Sequence, residues 1–324
     1  MNFDTRKRYH DKSFFAKMEP SKTEPNHREA ILLRKDIAMK RIMTIQDISC
    51  IGKCSLTVAL PIISSFGIET AIVPTAVLST HTQFQGFTFR DLTEDLDPIR
   101  EHWKKEGFRF SAIYTGYLGS ERQISIVKNY LKDFKTPETV AIIDPVMADN
   151  GKLYAGFDEH FPEKMASLCG EADIILPNLS EAALMLGVPY PREDATPEVT
   201  KKLLKGLAKL GAKLVVITGV TLSDGTFGFL GLNVETGEFF EYGNPKVPFK
   251  SHGTGDIFAS TFTGAVAKGI PTFDALKLAA DYVTACIKNT YEDPNRVNYA
   301  VNFELELPYL MKRIEQYSVS YERE

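Results

Sequence analysis

From Lys40 onward, short apolar runs alternate with longer segments whose apolar residues recur every three or four positions. Lys40–Gln46 (KRIMTIQ) reads as a buried strand. Cys54–Phe66 follows as a helix, with Gly67 placed to cap its C-terminus. Thr70–Pro74 and Ser111–Tyr114 are short strands, and the second leads into a helix over Glu121–Phe134. Val140–Asp144 is an apolar run ending in an acid. A helix over Asp158–Leu168, a strand at Asp173–Leu176 and a short helix at Ser180–Leu186 come next. The spacing then predicts a helix over Pro197–Leu210 and a strand at Lys213–Thr218. Gly225–Tyr242 is rich in glycine and aromatics and predicts β-hairpins. Helices over Thr254–Lys268 and Thr272–Asn289 close the pattern.

Apolar strands alternating with amphipathic helices imply an α/β fold, a mostly parallel sheet covered on both faces. Ligands of such folds bind beyond the carboxyl ends of the strands. The polar residues that follow the strands are therefore the ones to inspect: Asp47, Tyr117, Asp144, Asp149, Asn178, Glu181 and Thr218. With no internal repeat or low-complexity tract, residues 39–324 are expected to form a single domain.

Composition narrows the function classes. The 324 residues are 44% hydrophobic and 25% charged, close to the globular average, which excludes coiled-coil and collagen architectures. A net charge of −4 gives no global field to attract nucleic acid or an anionic membrane. Residues 1–38 carry nine Lys/Arg against six Asp/Glu. Their polarity and Pro20 and Pro25 predict a disordered extension, and Met39 is an alternative start. Four irregularly spaced cysteines fit a reduced, cytoplasmic compartment. Cys50 and Cys54 lack the spacing and second pair of a zinc site. The longest uncharged stretches, Cys54–Ile68 and Thr70–Phe89, do not read as bilayer spans; the second contains Pro74, His81, Gln83 and Gln85. His102, His160 and the lone Trp103 are scattered and suit surface or packing roles.

Three segments carry chemistry. Gly253-Thr254-Gly255-Asp256 opens a helix, where converging amides and the macrodipole favour an anion. Asp256 in the first turn is then either a general base beside a phosphate or merely an acid complementing the dipole. Pro177-Asn178-Leu-Ser-Glu181 places two oxygen-bearing side chains on one face of a helix start. That arrangement suits a hydrated Mg²⁺, or equally a capping box. Asp144-Pro-Val-Met-Ala-Asp149 sets an acid at the end of a buried strand and a second acid five residues on. Asp144 there faces either a cation or its own loop. Neither GxxxxGK[ST] nor GxGxxG after the first strand is present, which excludes a P-loop enzyme and argues against a dinucleotide fold.

In this order, the segments resemble the ribokinase-like superfamily, most closely its pyridoxal/pyridoxamine kinase branch, over Met39 to about residue 290. The resemblance implies a three-layer α/β/α sandwich and ATP-dependent phosphorylation of the 5′-hydroxymethyl group of a B6 vitamer. It makes Gly253, Thr254 and Gly255 the anion hole and Asp256 the base. It makes Asp144, Asn178 and Glu181 the Mg²⁺ residues, and Asp144, Asp149 and Thr218 neighbours of ATP. Thr115-Gly-Tyr117 matches the TGY segment, and Ser79-Thr80-His81-Thr82 is similar to the family's SNHT. His81, Thr82, Tyr117 and Tyr154 would then line the pyridine pocket. A homodimer and a monovalent cation are further family expectations.

One departure is Ile45-Gln46-Asp47-Ile48, where better-known pyridoxal kinases read IQSH; it is similar to the bacterial pyridoxamine kinase subgroup. A buried Asp47 would want a cationic or donating substrate edge, such as an aminomethyl group. His252-Gly-Thr-Gly also resembles hydroxymethylpyrimidine (phosphate) kinases, which usually carry Cys where Asp256 stands. That activity is the alternative, together with a degenerate kinase fold that binds without turnover; the intact acid motifs argue against the latter.

Overall fold

Six parallel strands form the centre of a nine-stranded sheet, and antiparallel strands extend it on both sides. The computed structural model describes residues 40–192, 195–249 and 251–321. The extension expected over 1–38 lies outside the described residues. The strands are β1 (Arg41–Ser49), β2 (Glu69–Leu78), β3 (Phe89–Asp91), β4 (Ala112–Thr115), β5 (Val140–Ile143), β8 (Ile174–Ile175), β9 (Leu214–Thr221), β10 (Phe227–Asn233) and β11 (Phe239–Asn244). They lie in the order β11-β10-β9-β8-β5-β4-β1-β2-β3. A separate two-stranded hairpin, β6 (Ala148–Asp149) and β7 (Lys152–Leu153), follows β5.

Alternation along the buried strands divides the core in two. Met43 and Ile45 of β1 with Ile113, Ala141, Ile143, Val215 and Ile217 face one side. They pack there against α2 (Thr93–Glu106), α3 (Glu121–Phe134), α4 (Phe161–Cys169), α5 (Leu179–Met185) and α6 (Pro197–Leu207). Ile42, Ala112, Tyr114, Ile142 and Val216 face the other. Their partners are α1 (Leu56–Ser65), α7 (Thr254–Lys268), α8 (Thr272–Glu292) and α9 (Leu307–Tyr321). Both faces of each central strand are thus buried, which is why these strands read as apolar runs rather than alternating ones. The result is the three-layer α/β/α sandwich the resemblance implies.

Most differences from the sequence reading have local causes. β1 runs three residues beyond Gln46, so Asp47 lies within the strand, where the pairing with β2 shifts register between Gln46 and Ile48. α4 starts at Phe161 rather than Asp158, because Asp158 Oδ1 accepts the amides of His160 (2.9 Å) and Phe161 (3.1 Å) in a preceding turn. The helix read over Pro197–Leu210 ends at Leu207, and Ala208–Leu210 tightens into a 3₁₀ turn. α2 has no counterpart in the sequence reading: it contains Pro98 and buries only Thr93 and Leu96. Ile99 and Trp103 also pack partly against the core, and Arg100 and Lys104 pair to Asp133 of α3 while Arg122 of α3 pairs to Glu94. No helix among the described residues is long and apolar enough to cross a membrane.

Candidate active site

The N-terminus of α7 is open. Gly253 occupies the N-cap position at φ +78°, and no side chain caps the helix. A Cβ on Gly253 would lie 2.3 Å from the Lys53 carbonyl, so only glycine lets the two loops approach this closely. A Cβ on Gly255 would meet nothing within 4 Å. The positive end of the helix dipole is therefore left without a side-chain cap, with open space beside Gly255 and Thr254 between the glycines.

The facing loop is strained. Lys53 (φ 53°) and Ser55 (φ 52°) adopt positive φ without being glycine, directly after Gly52. Lys53 Nζ anchors the loop by donating to Asn302 Oδ1 (3.1 Å) and Glu304 Oε2 (2.9 Å). The outcome is that the Ser55 amide donates to the Asp256 carboxylate. Asp256 keeps partial exposure, yet burial of its carboxylate raises the pKa to about 7, with the Asp47 charge adding to the rise and the Ser55 bond opposing it. A carboxylate poised there accepts a proton well near neutral pH.

Asp47, on β1, is buried and its pKa is raised by burial. Ser49 Oγ donates to Asp47 Oδ2 at 2.9 Å, and the Ser55 side chain contributes a second hydrogen bond. Its charge is thus partly satisfied within the chain, which weakens the expected demand for a cationic substrate edge. Cys54 lies beside the same acids; burial first and then the Asp256 charge push its thiol up to about 12, so it is an inert neutral group.

Asp144 follows β5, and its amide donates to the Thr115 carbonyl of β4 at 3.0 Å. Burial, then the charges of Glu181 and Asp256, hold its carboxyl well above the usual range. Asn178 and Glu181 realise the capping box. Asn178 Oδ1 accepts the amides of Ser180 (2.7 Å) and Glu181 (3.0 Å), and its Nδ2 donates to the Ala148 carbonyl (2.9 Å). Glu181 accepts the Asn178 amide at 2.8 Å and the Met147 amide at 3.3 Å. Burial nevertheless raises Glu181 to about 8 against those bonds. Thr218 bridges Asn178, its amide donating to the Pro177 carbonyl at 3.0 Å.

The remaining expected residues divide. Tyr154 feels the charges of Glu181, Asp149, Asp256 and Asp144, after burial the main causes of its raised pKa, so it stands at the acid cluster. Asp149 is exposed in the β6–β7 turn, its oxygens accepting from Asn150 at 2.8 and 2.9 Å. Tyr117 lies beside Asp47, whose charge, after burial, lifts the phenol to about 12, and its ring packs 5.6 Å from Phe157. His81 is buried against Gly52, where a Cβ would come 2.2 Å from the ring. Gln83 N donates to His81 Nδ1 and Nε2 faces the Tyr299 carbonyl, both at 3.3 Å, which selects the neutral ring. Thr82 is exposed and, unlike His81, is not packed into this cluster. Gln83 also contacts His252, which ties the His81 loop to the anion loop. Ser49, Ser55 and Tyr114 join the site without having been singled out in the sequence. A concavity of about 790 Å³ lies elsewhere, along α4 and the end of α5.

Among the described residues no three His, Cys, Asp or Glu side chains assemble into a ready metal cage. The donor set nevertheless fits Mg²⁺, which keeps several waters and uses one or two carboxylates plus substrate phosphates. Asp144, whose ionisation Glu181 and Asp256 oppose, is the acid a divalent cation would relieve.

Comparison with known proteins supplies the lineage. The family profile described as phosphomethylpyrimidine kinase matches residues 65–302. The chain belongs to this family. Kinase chemistry follows, and membership implies ATP as the phosphoryl donor. Among curated relatives, pyridoxine kinase of Bacillus subtilis strain 168 is 30% identical over 209 residues, 61% of this chain and 72% of that protein. The chloroplastic thiamine biosynthetic bifunctional enzyme of Arabidopsis thaliana is 30% identical over 180 residues, 54% of this chain; the match spans only 33% of that longer enzyme. A crystal structure from Bacteroides thetaiotaomicron, of a protein assigned as a phosphomethylpyrimidine kinase and crystallised with pyridoxal, is 38% identical. It superposes with a TM-score of 0.79 and covers 84% of this chain and 96% of its own. The family therefore spans vitamin B6 and thiamine chemistry, and the pyridoxal kinase resemblance holds at the level of family and fold.

Proposed function

We propose that this kinase phosphorylates the 5′-hydroxymethyl group of a B6 vitamer, with Asp256 as base. The observation that carries the reading is Asp256 at the open N-terminus of α7, lifted to about 7 and held by the Ser55 amide. Asp256 takes the hydroxyl proton as the oxygen attacks the γ-phosphorus; the new P–O bond forms while the bond to the β–γ bridging oxygen breaks, releasing ADP. The amides at Gly253–Gly255 receive the charge on the transferring group. Asp144 would hold Mg²⁺, with Glu181 and Asn178 acting through water and through the order they impose on the loop. When bound, the ion neutralises phosphate charge. Asp47 and Tyr117 form a polar and aromatic wall where the ring is expected, with His81 on the loop tied to the anion hole by Gln83 and His252.

The pyridoxal complex of the Bacteroides relative and the B. subtilis pyridoxine kinase support a B6 substrate. The family description and the thiamine enzyme favour a second reading, hydroxymethylpyrimidine as acceptor. An ATP-coupled assay against pyridoxal, pyridoxamine, pyridoxine and hydroxymethylpyrimidine separates the two. Higher kcat/KM on a B6 vitamer is expected; preference for the pyrimidine overturns the assignment.

A further inference from the structure

The loop that brings the Ser55 amide to Asp256 is held in a costly shape. Lys53 sits at φ 53°, and Ser55 at φ 52° and ψ −133°, backbone that L-residues rarely adopt. Such backbone persists only where its surroundings over-determine it. On the helix side the first turn of α1 does this. The Ser55 carbonyl accepts the amides of Val58 (3.0 Å) and Ala59 (2.9 Å), and Thr57 Oγ1 donates to the Cys54 carbonyl (2.8 Å). On the strand side the contacts come from distant parts of the chain. His81 packs on Gly52, and the Lys53 ammonium donates to Asn302 Oδ1 (3.1 Å) and Glu304 Oε2 (2.9 Å).

Those partners are themselves fixed. Val301 and Phe303 are buried in the core, and Tyr282 of α8 donates its hydroxyl to the Phe303 carbonyl at 2.9 Å. The Asn302 amide donates to Thr290 Oγ1 (2.7 Å) and its Nδ2 to Asp293 Oδ2 (3.1 Å), which leaves Oδ1 turned to Lys53. The Tyr299 carbonyl faces His81 Nε2 at 3.3 Å, so residues 299–304 touch two loops of the site. The Lys53 carbonyl, in turn, is the group that Gly253 approaches most closely. One side chain thus links a rigid segment after α8 to backbone lying between the anion hole and the base.

We propose that Lys53 is a positioning residue for Asp256: its bonds to Asn302 and Glu304 hold residues 52–55 so that the Ser55 amide meets the carboxylate. The ammonium spends two of its three donors on fixed acceptors, and the strained backbone beside it is kept in place. The Lys53 and Glu304 side chains are 28% and 47% exposed, so the pair contributes little to overall stability. Its effect falls instead on the orientation of the base, where a small displacement slows the reaction steeply.

This role rests on Asp256 acting as the base, and two readouts keep the questions apart. In Lys53→Met, which keeps an unbranched apolar stem, kcat should fall about tenfold while KM for ATP and vitamer stays near wild type. The melting temperature should hardly move, and Lys53→Arg should recover most of the rate. Glu304→Met should also lower kcat, and the double variant should be no slower than Lys53→Met alone. Unchanged kcat in Lys53→Met, additive losses in the double variant, or a kcat loss matched by a large fall in melting temperature overturns the positioning role. So does a rise confined to KM for ATP, which direct phosphate binding by the ammonium would give. Hydrogen exchange of the full chain, read by mass spectrometry over residues 50–58, should quicken in Lys53→Met; unchanged exchange overturns the brace. If Asp256→Asn proves fully active, the base assignment falls, and the exchange result still decides whether Lys53 holds the loop.

Discussion

Asp256 shows how one residue's chemistry is set by its neighbours. Its shift to about 7 comes from lost solvation and the nearby Asp47 charge, moderated by a single amide, that of Ser55. Asp256→Asn should lower kcat by about 10²–10⁴-fold, the usual worth of a positioned base, while nucleotide still binds with near wild-type affinity. Steady-state kinetics with an ATP-binding titration check this, and full activity removes Asp256 from the mechanism. Because the base works ionised, kcat/KM of the wild type should fall as pH drops below about 7, and this limb should be absent from the residual activity of the variant. Asp47 and Asp144 were legible in the sequence because each follows, or ends, an apolar run that forecasts a buried strand, and Asp256 because it closes a glycine-rich helix opening. Ser49 and Ser55, which hydrogen-bond Asp47 and Asp256, were not, since nothing in the sequence separates a serine that bonds a buried acid from one that faces solvent. Asn178 and Glu181 were ambiguous in the sequence for a physical reason. One pair of side chains serves a capping box and a metal neighbourhood alike, and only coordinates show that most of their polar atoms are already hydrogen-bonded.

At the scale of elements, α7 is a helix whose first turn is kept free for a ligand. Its two glycines do different jobs, and substitution should separate them. Gly255 faces open space, so Gly255→Ala should leave the melting temperature unchanged or slightly raised, alanine being favoured in helices by about 0.5–1 kcal/mol. The added methyl group would stand where phosphate approaches, and KM for ATP should rise or kcat fall. Gly253→Ala would force a side chain into positive φ and against the Lys53 carbonyl, so that variant should be less stable as well as less active. Thermal melts beside steady-state kinetics give the comparison; equal loss of stability in both would refute the division. The bounds of α3 and α7 were readable to the residue because their apolar spacing is clean and Ser120 and Gly253 mark their starts. α2 was not, because it holds Pro98, buries only Thr93 and Leu96, and pairs its charges with α3 residues far away in the sequence.

For the whole molecule, four carboxylates gather around the carboxyl ends of the central strands, and their common upward shift affects the pH dependence of folding. Asp256 moves from 3.8 to about 7 and Glu181 from 4.5 to about 8, with Asp47 and Asp144 shifted the same way, chiefly by burial. A carboxylate raised in the folded state binds its proton more tightly there than in the unfolded chain. Its contribution is therefore fully present below the unfolded pKa and is lost as pH rises through the folded value. Asp133 and Asp173 act in the opposite sense. Lys104 and Arg100 hold Asp133 low, and the Ala141 amide with Lys135 and Lys213 holds Asp173 low against burial. Their stabilisation is lost as pH falls towards and below 3.8. The ligand-free enzyme should accordingly melt highest in mildly acidic buffer and lower as pH climbs from about 4.5 to about 8. Asp256→Asn removes one of the titrating groups. Its melting temperature should match the wild type near pH 4 and exceed it by a margin that widens up to about pH 7. Calorimetry of both proteins without nucleotide or metal measures that margin, and a difference independent of pH would show that Asp256 does not store this strain. Adding Mg²⁺ and ATP should raise the wild type most at the alkaline end, where the ionised cluster gains a counter-charge that the empty site lacks.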